Sequence, residues 1–154
     1  SLDIAQASLP AFKQNGGKVL FCGGFPQYAS AQGGLGDVAP IDGIESSPFA
    51  TKLLSRDTIL AVDPTYPMLI RDTLGNIYTF PRGILPKVSA RVLYQMQKST
   101  RWASRDTLPI IMGVKDADQP SFVMLGAILH RFGTPPDNVK AFLRKVFNDE
   151  FGVQ

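Results

Sequence analysis

The sequence predicts an α+β fold: a small mixed or antiparallel sheet, an amphipathic basic helix over about 86–104, and a C-terminal helix pair over about 121–132 and 135–150. Three observations lead there. Short apolar runs are bounded by turn residues, a middle stretch free of Gly and Pro places apolar side chains at helical spacing, and Gly133-Thr134-Pro135-Pro136 separates two further apolar-periodic segments. An α/β fold built on a parallel sheet is the alternative. The 154 residues read as one domain, and 44% hydrophobic with 19% charged residues is the composition of a chain that folds. Because it begins at Ser1 rather than Met, the chain is expected to be a piece excised from a longer one.

From the start, Leu2 to Gln14 reads as a helix with Ile4, Leu9 and Phe12 inward and Pro10 disturbing its middle. Gly16-Gly17 stops it, and Lys18 to Cys22 is a compact apolar run suited to a buried strand. Gly23 to Glu45, rich in Gly, Ala, Ser, Gln and Pro, reads as a long loop, and Pro48 to Leu54 as a helical piece. Thr58 to Val62 is a strand ended by Asp63-Pro64. Met68 to Ile70 and Ile77 to Phe80 flank the turn-rich Asp72–Asn76 as a hairpin. Leu108 to Val114 is another strand and Lys115 to Pro120 a charged turn.

The middle stretch concentrates charge. Between Asp72 and Asp106 there is no acidic residue, yet Arg82, Lys87, Arg91, Lys98, Arg101 and Arg105 all lie there. The whole chain is only +3, so everything else, 10 basic against 13 acidic residues, sums to −3. With Pro86 in the first helical position, a helix would place Val88, Val92, Leu93, Met96 and Ala103 on one side. Lys87, Arg91, Tyr94, Lys98, Arg101 and Arg105 would then line the other. Such a ridge can track a phosphate backbone, with Tyr94 stacking or hydrogen-bonding among the cations. An ordinary solvated helix face has the same composition.

Near the C-terminus, Leu129, the turn residue Gly133, Val139 and Phe142 fall at the spacing of two packed helices. Over about twenty residues this resembles the helix-turn-helix family of DNA-binding proteins. It departs from the pattern at Leu129, where that family usually has a small residue, at Thr134, and at Pro135-Pro136. The resemblance implies that the second helix enters the major groove, with Asp137, Asn138, Lys140, Ala141 and Arg144 on or near the reading surface. A plain αα-hairpin closing the core gives the same spacing.

Catalytic chemistry finds little to stand on. Cys22 and His130, the only Cys and His, are the one thiol–imidazole pair a cysteine-dependent hydrolase would have, 108 residues apart. One Cys and one His cannot build a structural zinc site, and Asp116 with Asp118 lacks the rest of a calcium loop. Gly33-Gly34-Leu35-Gly36-Asp37 has neither the Lys-Ser/Thr nor the preceding strand of a phosphate-cradling loop. No apolar run reaches membrane-spanning length and no signal-peptide pattern is present. No metal or other cofactor is expected.

The expected function is therefore a non-catalytic module binding nucleic acid or another polyanion. Lys87, Arg91, Lys98, Arg101 and Arg105 would contact phosphates, extended by Lys140, Arg144 and Lys145 on the last helix. The rival is a structural or assembly protein, such as a virion, secretion or oligomeric-complex component. Its basic stretch would face an acidic protein surface, with homo-oligomerisation as one form of assembly.

Overall fold

The computed structural model describes residues 2–23, 38–46, 52–55, 61–70, 81–96, 110–133 and 135–153. Helix α1 (Leu2–Gln14) is followed by eight strands: β1 (Val19–Cys22), β2 (Ile41–Ser46), β3 (Lys52–Leu54), β4 (Leu69–Ile70), β5 (Arg82–Pro86), β6 (Arg91–Met96), β7 (Ile111–Lys115) and β8 (Phe122–Leu125). A single helical turn, α2 (Leu129–Phe132), and helix α3 (Asp137–Arg144) come next. The latter continues directly into a π-helical segment, Lys145–Glu150. The strands form one curled, mixed half-barrel sheet. Its main path runs β1-β8-β7-β6-β3-β4, while β5 pairs with β2 and with β7. Only β1 and β8 are parallel among the named strand pairs.

Strand β7 organises the sheet. One of its edges carries β6, from Arg91 opposite Lys115 to Gln95 opposite Ile111. It also pairs with β8 at residues 113–115 and with β5 at Ile111. Gly126 stitches the junction, donating its N–H to the Met112 carbonyl (2.7 Å) and accepting from the Arg82 N–H (2.7 Å). A side chain at 126 would collide with the Arg82 carbonyl oxygen, which is why the position is glycine. Tyr94 lies over Gly113, filling the gap left by the missing side chain.

Both faces of the sheet are covered. On one face Leu53, Leu69, Leu93, Tyr94, Met112, Val123 and Leu125 pack against Phe142, Val146 and Phe151 of the C-terminal segment. On the other, Ile41, Ile84, Val114, Phe122 and Met124 meet Leu9 of α1 and Phe21 of β1. Alternate residues of β8 thus enter opposite cores, and β7 and β8 are buried along their whole length. Among the described residues no helix is long and apolar enough to cross a membrane.

The expected α+β fold with a basic helix is overturned. The proposed helix over 86–104 is instead the end of β5, a turn through 87–90, and β6; residues 97–104 lie outside the described residues. Pro86 closes a strand rather than opening a helix, and the Ala90 N–H donates to the Lys87 carbonyl (2.9 Å) to make the turn. Long-range pairing of β6 with both β3 and β7 outweighs the helical spacing of its apolar residues. The expected helix over 121–132 is β8 followed by one turn of helix, because Phe122–Leu125 is a strand flanked by β1 and β7. The α/β alternative also fails, since most pairs are antiparallel. Within the expected long loop lies β2, and the expected helical piece at 48–54 ends in β3. The strand expected at Thr58–Val62 and the hairpin arm at Ile77–Phe80 fall wholly or largely outside the described residues.

Candidate interaction surfaces

The described cations of the expected ridge, Lys87 and Arg91, stand on a turn and on a strand rather than along one helix. Lys87 sits half-buried on the β5–β6 turn, its backbone N–H donating to the Pro40 carbonyl (3.2 Å). Arg91 starts β6, and its Nε lies 3.0 Å from Asp118 Oδ1 on the exposed β7–β8 turn. Tyr94 is fully buried and donates its hydroxyl to the Pro67 carbonyl (2.8 Å), so it presents no ring to a nucleic-acid base. Burial pushes its phenol pKa up. Lys98, Arg101 and Arg105 lie outside the described residues.

On the C-terminal helix Lys140 Nζ is 3.7 Å from Asp137, one helical turn back. Lys145 Nζ lies 3.6 Å from Asp149 and 3.9 Å from Glu150, and sits 5.7 Å from the centre of the Tyr66 ring. Arg144 is exposed and its side chain has no ion-pair partner among the described residues. The helix-turn-helix resemblance loses its first helix, which is the four residues of α2 preceded by a strand. Phe142 is buried in the core, as either a helix pair or a plain packing helix requires.

Cys22 and His130 lie on β1 and α2. Burial is the sole influence on the thiol and pushes its pKa up to about 12, leaving almost no thiolate at neutral pH. His130 is exposed on α2, and no hydrogen bond joins the two. No group of three His, Cys, Asp or Glu side chains suited to a metal occurs among the described residues.

Two features escaped the sequence reading. The first is a buried ionic cluster. Lys115, at the end of β7, places Nζ 2.9 and 3.0 Å from the Glu150 carboxylate, with both side chains under 10% exposed. Tyr66 donates its hydroxyl to the same carboxylate (3.1 Å), and Asp63 lies 3.9 Å from Lys115. Burial alone would raise the Asp63 pKa. Hydrogen bonds from Thr65 and the charges of Lys115 and Lys145 outweigh it and hold the carboxyl below its ordinary value. The cluster fixes the turn at 63–67 against the π segment and leaves a cleft of about 410 Å³ between them, lined by Pro64, Pro67, Arg144, Lys145, Asn148 and Asp149 among others. A charged residue at each end of separate elements carries no local pattern, so only the fold reveals the pair.

The second is the apolar tip of the β5–β6 turn. Val88 is fully exposed on a turn held at its base by the Lys87 and Ala90 hydrogen bonds, and Leu85, about half exposed, lies just before it at the end of β5. The Pro86-Lys87-Val88 sequence shows this once it is read as a turn instead of a helix. Compared with protein-family models, with curated proteins and with solved structures, the chain matches none.

Proposed function

We propose that the chain is a non-catalytic assembly component whose β5–β6 turn makes a protein contact, first of all with further copies of itself. The observation that carries this reading is the full exposure of Val88 on a turn anchored to the sheet, with half-exposed Leu85 on the adjoining end of β5. Apolar side chains held exposed on anchored backbone release water on association without a cost of ordering that backbone. Five described cations, by contrast, already have carboxylate partners within the chain: Lys13 with Asp116, Arg91 with Asp118, Lys115 with Glu150, Lys140 with Asp137 and Lys145 with Asp149. Such pairing weakens a surface meant for phosphates.

The test is light scattering coupled to size-exclusion chromatography across a dilution series. Concentration-dependent assembly that Val88→Asp and Leu85→Asp abolish, with an unchanged circular dichroism spectrum, supports the reading. Assembly indifferent to both substitutions removes the tip from it. A nucleic-acid reading keeps one specific support, the acid-free span containing Lys98, Arg101 and Arg105. Nucleic acid co-purifying with the protein, and released by salt, would favour that alternative.

A further inference from the structure

The cleft between the 63–67 turn and the C-terminal helix combines features that select a ligand class. Its volume, about 410 Å³, is at the small end of ligand pockets and accommodates one or two side chains rather than a nucleotide chain. Pro64, Pro67 and Ala141 make an apolar wall, while Arg144 and Asn148 offer hydrogen-bond donors from the helix side. Lys145 is held by Asp149 and Glu150, and the Thr65 hydroxyl is turned to Asp63 (2.6 Å). Arg144 is therefore the cation the cleft leaves open. Its planar fork matches a carboxylate bidentately. Asp149, 62% exposed on the same wall, repels a ligand with many phosphates more than one with a single carboxylate.

We infer that this cleft takes a short acidic peptide segment of a protein partner, one Asp or Glu carboxylate forked onto Arg144 and an apolar or proline neighbour resting on Pro64 and Pro67. The inference rests on the reading of the chain as a protein-binding module and names the chemistry of one contact. Asn148 completes the site as a donor to the free lone pairs of that carboxylate. Proline and apolar residues beside the acid bring little conformational entropy to lose, which suits a small site.

Fluorescence anisotropy tests it with three labelled probes: a short peptide with glutamates between prolines and leucines, the same peptide with glutamines, and an oligothymidylate. The glutamate peptide is expected to bind at least tenfold more tightly than its glutamine version. Arg144→Glu should remove that binding, and Arg144→Lys should weaken it severalfold because an ammonium cannot fork. Arg144 is exposed, so circular dichroism should report the fold unchanged in both variants. The inference is overturned if the glutamate peptide fails to bind at about 1 mM, if Arg144→Glu binds it like the native chain, or if the oligothymidylate binds more tightly. Val88→Asp separates the two readings. Peptide binding that survives it while assembly is lost supports both, whereas tip-dependent assembly without peptide binding removes the cleft alone.

Discussion

Removing Glu150 should destabilise the protein far more than any surface carboxylate would. Glu150→Leu leaves the Lys115 ammonium, whose side chain is 9% exposed, without the carboxylate now 2.9 Å away. Breaking a buried pair by deleting one partner costs about 3–5 kcal/mol, because the remaining charge stays desolvated. Asp63, 3.9 Å from the same ammonium, offsets part of this and sets the expectation near 3 kcal/mol. Lys115→Met has a similar expected cost: Glu150 keeps the Tyr66 hydroxyl and Lys145 at 3.9 Å, but both are weaker than the lost pair. Lys115→Met combined with Glu150→Leu removes both charges together and should recover most of the loss, since apolar replacement of a buried pair is often neutral. Urea unfolding followed by tryptophan fluorescence and circular dichroism measures all four proteins. A loss under about 1 kcal/mol in both single variants, or additive losses in the double one, would refute the claim that the pair is buried and mutually dependent.

Two further outcomes are expected. Asp116 ties α1 to the sheet through Lys13 (2.8 Å) and accepts from Ser121 and Phe122. Burial would raise its pKa, but the Lys13, Phe122 and Ser121 hydrogen bonds and the Lys13 charge hold it below the ordinary value. Its contribution is therefore complete above the unfolded value of about 3.9 and disappears as pH falls through the lower folded one. Asp116→Asn should cost about 2 kcal/mol at pH 7 and flatten the stability loss seen as pH falls below the ordinary carboxylate value; an unchanged acid limb would contradict this. The Cys22 thiol, with its pKa pushed up to about 12, should carry roughly a thousandfold less thiolate at pH 8.5 than a free cysteine. Even with the higher nucleophilicity of a more basic thiolate, iodoacetamide should label it at least tenfold more slowly; labelling at the rate of a free thiol would revive a nucleophilic role.

The parts of the fold legible in the sequence are those whose local pattern agrees with their long-range pairing. Leu2–Gln14 is helical despite Pro10, and Val19–Cys22 is a strand where the apolar run stood. Leu69–Ile70 and Ile111–Lys115 likewise lie on or beside expected strands. The failures share one cause. A strand covered on both faces shows no alternation, and four apolar residues such as Phe122–Leu125 fit a helix equally well. In β6, Leu93, Tyr94 and Gln95 are all buried in succession, so the period-two signal is absent while Val92 and Met96 mimic a helical stripe. The acid-free span misled in a different way, because Arg91 finds its carboxylate 27 residues later at Asp118. Of the proposed cleft, Arg144 and Lys145 stand out in the sequence only as cations of the last helix, and the cleft beside them depends on Pro64–Pro67 being folded back by Glu150.

The π segment gives that fold-back an unusual dependence on helical winding. Its i→i−5 pattern, with the Phe151 N–H reaching the Val146 carbonyl at 2.9 Å, turns the chain less per residue than an α-helix does. Wound as an ordinary α-helix, the same six residues would carry Glu150 about 100° further around the axis, away from Lys115. The grip of the last helix on the sheet is thus set by the wider turn that precedes the glutamate, as much as by the glutamate.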